Sequence, residues 1–335
     1  MRSVLYRRHG RPSEVLEVAD VEKPGSPAAG EVLIRVLSRP VHYGDLLGIA
    51  GRYRSGGDFS VPATGNRVGF EGYGIVEQSG EGVALPKGTR VAFFPGRAAW
   101  SEWVAVPSSY VTIIPDDVSD DAAAQLHVNP LTAALLARAV QRAGVAPGED
   151  VVVLTAAGSA VAKLTAAVLR ERGIDVIGIV RSESGAADLR TLSPGAKVVS
   201  TEAADWKEHL VAVLDGRPIK AVLDPVGGQL ASEMVGMLAG GGSLISYGDL
   251  SGDPIAVPAL AFSTRNVQIF GVTVGGWGGL PQEQRAEDLL LALRLAADNP
   301  SLFPVAEKYD LSDAGPAAAH VERPGKAGVV LLTSL

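Results

Sequence analysis

The stretch LTAAGSAVAKL, Leu154 to Leu164, follows the apolar run DVVVL and leads into an apolar helical pattern. A strand, a tight turn and a helix in that order aim free N–H groups and a partial positive charge at whatever lies over the turn, which suits phosphate. The usual dinucleotide turn reads G-x-G-x-x-G; its glycines give the tight turn, the close approach to pyrophosphate and the close helix–strand packing. Here Gly158 is followed by Ser159, Ala160, Val161 and Ala162. Ser159 can add a hydroxyl donor, and alanine keeps part of the packing role. The expected cradle is therefore Gly158, Ser159, Ala160 and Val161 with the helix N–H groups, and a loose hold on the ligand is its specific risk. A plain turn in a sheet protein is the alternative.

The next apolar run, IDVIGIV, ends at Arg181 and Ser182. An Asp or Glu at this strand end would hold ribose hydroxyls. A guanidinium suits a 2′-phosphate instead, through paired charge-assisted bonds. The expected cofactor is NADPH rather than NADH.

These residues need a scaffold, and the chain reads as two patterns. The first 120 residues are β-rich: EVLIRVLSRPV, EGYGIVEQSG, TRVAFF and SEWVAVPSSYVTII alternate with Gly/Pro punctuation. A helical stretch follows, DAAAQLHVNPLTAALLARAVQRAG, with a break expected around Asn129-Pro130. From Asp150 strands and helices alternate, which predicts an α/β fold with a Rossmann-like, doubly wound parallel sheet. QRAEDLLLALRLAADN is an amphipathic helix, and the tail AGVVLLTSL is again strand-like. The expected organisation is a β-rich domain over 1–123 and 275–335, with a nucleotide-binding domain over 124–274.

Bulk properties exclude several classes. A chain of 335 residues is long for one core. Net charge −7 argues against a nucleic-acid binder. No apolar run reaches membrane-span length, and the first residues lack an apolar signal core, so a cytoplasmic location is expected. Cysteine is absent, which removes thiolate catalysis and Cys-ligated zinc.

The motifs resemble the zinc-free branch of the medium-chain dehydrogenase/reductase superfamily. PATGNRVGFEGYGIV is similar to the P-x-x-x-G-x-E-G-x-G-x-V signature of its quinone and enoyl reductases. Zinc members carry a ligand histidine before the glutamate, where this chain has Phe70 before Glu71. Other pieces resemble the mitochondrial-type 2-enoyl thioester reductases: GDLLGIAGRY, VNPLTA, LDPVGG, ISYGDL and FGVTVGGW. The resemblance implies a GroES-like catalytic domain for the β-rich part. It implies an active-site tyrosine at Tyr53 and a nicotinamide contact from Asn129. It also implies a cofactor loop at Tyr247, Gly248 and Asp249, and cofactor contacts near Val272 and Val274. Asp249 departs from a glycine, and Val272-Thr273 depart from an aromatic pair.

The activity implied is hydride transfer from NADPH to the β-carbon of an α,β-unsaturated carbonyl compound, without metal. Tyr53, a phenol that stays protonated at neutral pH, is the candidate proton or hydrogen-bond donor to the enolate. Tyr43 and His42 are nearby alternatives. Tyr43 and Trp277 are candidate substrate-pocket residues, and Thr132 could contact ligand or cap a helix. Glu71 reads as structural. Alternatives are an NADPH:quinone oxidoreductase, and a cofactor-binding protein with little or no catalysis. The apolar strand pattern Val267–Val274 is an edge liability; the resemblance implies that it pairs with its mate in a second copy, so a homodimer is expected, the alternative being a loop that covers the edge.

Overall fold

The computed structural model describes residues 1–53 and 61–334. The chain forms two compact units, residues 129–279 and residues 1–128 with 280–335.

The unit 129–279 carries a six-stranded sheet. In chain order its strands are Val151–Leu154, Asp175–Val180, Lys197–Ser200, Ile219–Asp224, Ser243–Ser246 and Gln268–Gly271. All pairings are parallel. Their order across the sheet is third, second, first, fourth, fifth, sixth, the doubly wound order of dinucleotide-binding folds. The runs VVVL and IKAVLD are almost wholly buried, because helices cover both faces of a parallel sheet. Val151, Val153, Ile177, Val222, Met234 and Leu244 make the core, each large aliphatic contributing roughly 1.5–3 kcal/mol on burial. Winding reverses between Val151–Leu154 and Ile219–Asp224, so the carboxyl ends of these two strands flank the place where such sheets bind ligands.

The other unit is mostly antiparallel. Strand Glu31–Pro40 pairs with Gly72–Ser79, Trp103–Pro107 and the late strand Val329–Thr333. The fully buried Arg39 guanidinium donates to the carbonyls of Ala99, Ser101 and Leu332 and to Ser334 Oγ. Burial lowers its pKa to about 9. This cross-tie explains why the tail returns to the first domain: its strand completes a sheet begun some 290 residues earlier.

Five helices were not read from the pattern: Pro12–Val15, Tyr43–Ile49, Glu183–Leu192, Ala259–Arg265 and Ala314–Val321. The expected break at Asn129-Pro130 lies slightly earlier, between helices Asp120–Ala124 and Val128–Arg142. Pro130 falls in a first turn, where a missing N–H costs no helical bond. No helix among the described residues is long and apolar enough to cross a membrane.

Candidate functional site

The turn after Val151–Leu154 is held by the strands on its two sides. Thr155 N–H donates to Leu223 O, and Ala157 N–H donates to Ile179 O. Between them Ala156 sits at φ +47°, a left-handed conformation unusual for alanine. Close packing comes from the neighbouring strand: a Cβ on Gly178 would lie 2.8 Å from the Ala157 methyl. The glycine that the turn lacks is thus supplied opposite it. At Gly158 no atom lies within 4 Å of where a side chain would begin, so the turn opens to free space there. Ser159 caps helix Ala160–Glu171, its Oγ accepting Ala162 N–H at 3.2 Å. The hydroxyl hydrogen of Ser159 is left to donate.

Beside this turn lies a buried carboxylate network. Thr155 Oγ1 donates a short hydrogen bond to Asp224 Oδ1, and Gly227 N–H donates to Asp224 Oδ2 at 2.7 Å. Asp224 has no solvent exposure. Burial raises its pKa, while the Thr155 and Gly227 bonds oppose the rise. Tyr247 N–H donates to Asp224 O. The Tyr247 hydroxyl is shielded from solvent yet has no hydrogen-bond partner of good geometry. Its polar neighbours are Ser159 and Asp224, and burial pushes its pKa up. A buried, unpartnered hydroxyl beside a helix N-cap is a cost of roughly 1–3 kcal/mol that a ligand oxygen would remove. The residues therefore fit a dinucleotide. Gly248 is required locally, since a Cβ there would come within 2.9 Å of Pro225 O. Exposed Asp249 has its Oδ1 3.7 Å from the Cβ position of Gly227.

The second strand end carries Arg181, exposed and in no ion pair among the described residues. Ser182 caps helix Glu183–Leu192 by accepting Gly185 N–H at 3.2 Å. Asn129 and Thr132 are buried on one face of Val128–Arg142, three residues apart. Val272 and Val274 are half-buried just beyond the last strand, and Trp277 is buried in the following 3-10 turn.

In the other unit, Tyr53 follows helix Tyr43–Ile49 and precedes residues 54–60, which lie outside the described structure. Its ring lies 3.9 Å from the Cβ position of Gly48, and its hydroxyl 3.1 Å from that of Gly44. Two glycines one turn apart thus make a smooth face on which Tyr53 rests. Burial first, then the Asp45 carboxyl, raises the phenol pKa, so Tyr53 stays a proton donor at neutral pH. Tyr43 lies on a different face. With Leu46, Leu47 and Ala50 it lines a cavity of about 200 Å³ that also includes Arg11 and Arg52.

Buried groups support this helix. His42 and Asp45 close the helix start: Asp45 N–H donates to His42 O at 3.1 Å, and His42 N–H donates to Asp45 Oδ2 at 2.9 Å. His42 Nε2 meets Glu71 Oε1 at 2.5 Å. Glu71 Oε2 accepts the N–H groups of His127 and Val128, so Glu71 positions neighbouring backbone. Burial lowers the His42 pKa, but Glu71 more than offsets it, and the net direction is up. Asp45 Oδ1 is buried without a partner, and burial raises the Asp45 pKa to about 7. His127, donating or accepting at Thr112 Oγ1, is pushed down to about 4 by burial and is neutral. Among the described residues, no three His, Cys, Asp or Glu side chains are grouped to hold a metal.

The family description "Alcohol dehydrogenase GroES-like domain" matches residues 28–116, and "Zinc-binding dehydrogenase" matches residues 160–292. The chain belongs to the medium-chain dehydrogenase/reductase superfamily. It is an oxidoreductase of that superfamily, with a Rossmann-like parallel sheet and a GroES-like β-rich part. The mitochondrial enoyl-[acyl-carrier-protein] reductase of Xenopus tropicalis is 28% identical over 302 residues, covering 89% of this chain and 84% of that protein. A Bacillus thuringiensis crystal structure assigned as an NADPH:quinone reductase superposes with TM-score 0.86 at 28% identity, covering 100% and 99% of the two chains. A quinone oxidoreductase from Pseudomonas syringae pv. tomato gives TM-score 0.84 at 26% identity, covering 99% of each.

Asp224, Thr155 and Glu202 were absent from the residues singled out in the sequence. Asp224 carries a readable signal, an acid closing the apolar run KAVL, which must find donors once buried. Thr155 and Glu202 carry none.

Proposed function

We propose that this oxidoreductase uses NADPH to reduce the C=C bond of an α,β-unsaturated carbonyl compound, such as a 2-enoyl thioester or enone, without metal. The observation that carries the cofactor reading is the open turn at Gly158, flanked by the donor-ready Ser159 and the unpartnered Tyr247 hydroxyl. In this reading Ser159 and the N–H groups of Ala160 and Val161 bind pyrophosphate, and Arg181 with Ser182 binds the 2′-phosphate. Asn129, Thr132, Tyr247, Gly248, Asp249, Val272 and Val274 contact the rest of the cofactor. Bound NADPH supplies the hydride. Tyr53 donates a hydrogen bond to the carbonyl oxygen as it gains negative charge, which stabilises the enolate. The α-carbon of the enolate then takes its proton from Tyr53 or from water. Trp277 belongs to the substrate pocket, whereas Tyr43 faces the separate cavity that it lines with Arg11 and Arg52. A metal-free route follows from Phe70 and the absence of cysteine, which leave no zinc-ligand set of the zinc-dependent type.

The enoyl reductase relative supports the thioester or enone acceptor. The solved relatives support a quinone acceptor on the same site as the second reading. Titration with NADPH and NADH, then oxidation assays with crotonyl thioester, enones and quinones, separates the two. Absence of NADPH binding would overturn both and leave a protein without this chemistry.

The reading includes a cytoplasmic homodimer. The last strand, Gln268–Gly271, ends the sheet and is largely exposed, with Leu260 and Phe262 exposed on the helix before it. Pairing of two copies along this edge would cover it. A solution mass at the monomer value would sink the dimer.

A further inference from the structure

We propose that Glu202 is the residue that sets the choice between the two nicotinamide dinucleotides, by holding a carboxylate on the platform where Arg181 awaits a 2′-phosphate. This rests on the cofactor reading above and changes its selectivity.

Strands Asp175–Val180 and Lys197–Ser200 run parallel, with Val180 opposite Ser200. Thr201 N–H donates to Val180 O at 2.9 Å, carrying the pairing one residue past the strand. Arg181 and Glu202 therefore leave the sheet at neighbouring strand ends. Glu202 N–H donates to Ser200 Oγ at 3.1 Å, which fixes its backbone. Glu202 Oε2 accepts Glu183 N–H at 2.9 Å. That N–H is the first in helix Glu183–Leu192, directly after Arg181 and Ser182. An anion of the chain's own already occupies one of the donors that a bound phosphate would use. Arg181 is left exposed, and no ion pair joins it to Glu202.

The two charges favour different ligands. A 2′-phosphate gains the Arg181 guanidinium, and it also meets the Glu202 carboxylate or must displace it from Glu183 N–H. A ribose with free 2′- and 3′-hydroxyls carries donors, and a carboxylate is their natural acceptor. The acid that dinucleotide sites use for ribose would thus come from the third strand end, not the second. The chain then binds both cofactors, with a NADPH preference smaller than Arg181 alone would give. Because Glu202 is exposed, the effect is screened by salt.

The test measures Kd by calorimetry for 2′,5′-ADP and 5′-AMP, and for NADPH and NADH, with the full chain and its Glu202→Gln and Arg181→Ala variants. Glutamine keeps an oxygen that can accept Glu183 N–H, so the helix start is retained; an unchanged Tm checks this. The expected result for Glu202→Gln is roughly tenfold tighter 2′,5′-ADP, equivalent to about 1.4 kcal/mol, with 5′-AMP unchanged or weaker. The gain shrinks at high salt. Arg181→Ala should weaken 2′,5′-ADP and spare 5′-AMP. An unchanged ratio of the two Kd values in Glu202→Gln overturns the inference and leaves the cofactor reading standing. No binding of any of the four ligands by the unaltered chain overturns the cofactor reading itself.

Discussion

Asp224 and Asp45 are both buried carboxyl groups beside candidate chemistry, one in each unit, and they are held in opposite ways. Both oxygens of Asp224 accept a bond, from Thr155 Oγ1 and from Gly227 N–H. Asp45 accepts at Oδ2 only, and its Oδ1 has no partner. Burial raises the pKa of both groups. The difference lies in the donors. Neutral donors on both oxygens favour the ionised form, so Asp224 can act as a fixed anchor between two strand ends. With fewer donors, Asp45 is raised to about 7 and becomes a group that titrates. One unit is therefore built to hold, and the other is poised near a proton equilibrium next to Tyr53.

The comparison breaks most readily at Tyr53. If chemistry belongs to that unit, Tyr53→Phe should lower kcat by about 10²–10³-fold, the usual cost of losing one oxyanion donor. Cofactor affinity should barely change. Steady-state kinetics with a direct NADPH titration checks both, and a loss confined to affinity would place Tyr53 on the binding side.

The anchoring role of Asp224 predicts a stability effect. Asp224→Ala strands the Thr155 hydroxyl and Gly227 N–H without an acceptor, at roughly 1–3 kcal/mol each. Urea unfolding should show a loss of about 3 kcal/mol, and Asp224→Asn a smaller one. Equal stability of all three proteins would remove the distinction between the two carboxyls.

The smallest expected effect is the most diagnostic. A carboxyl whose folded pKa is raised favours the folded state below its unfolded value, near 4, and that contribution is lost as pH rises through about 7. The unaltered protein should lose a few degrees of Tm between pH 5 and 8 relative to Asp45→Asn. Asparagine preserves the capping acceptor, so parallel Tm curves would mean that Asp45 does not titrate in this range.

Much of the second unit was legible because period and burial agree there. Runs such as VVVL and VIGIV are apolar throughout, as strands covered on both faces must be, and Gly173 closes a helix at φ +71°. Helix Tyr43–Ile49 escaped notice for the opposite reason. Seven residues with two glycines carry little helical propensity, and the helix persists on the bonds between His42 and Asp45 and on Leu46 and Ile49 packed in the core. Arg181 and Ser182 could be placed at a strand end from pattern alone. Nothing local to Glu202 tells that its carboxylate reaches Glu183 N–H, since that bond spans two separate strand ends.

The sequence by itself determined which chemistries are closed to this protein and which elements alternate. Those follow from residue type and periodicity, which are local properties. Only the tertiary structure decided that Gly178 supplies the space missing from the turn at Ala157, that Tyr247 is left without a partner, and that Asp45 is starved of donors while Asp224 is not. Each of those outcomes depends on which strand lies beside which, and a carboxyl's pKa is set by the donors around it in space, not by its neighbours in the chain.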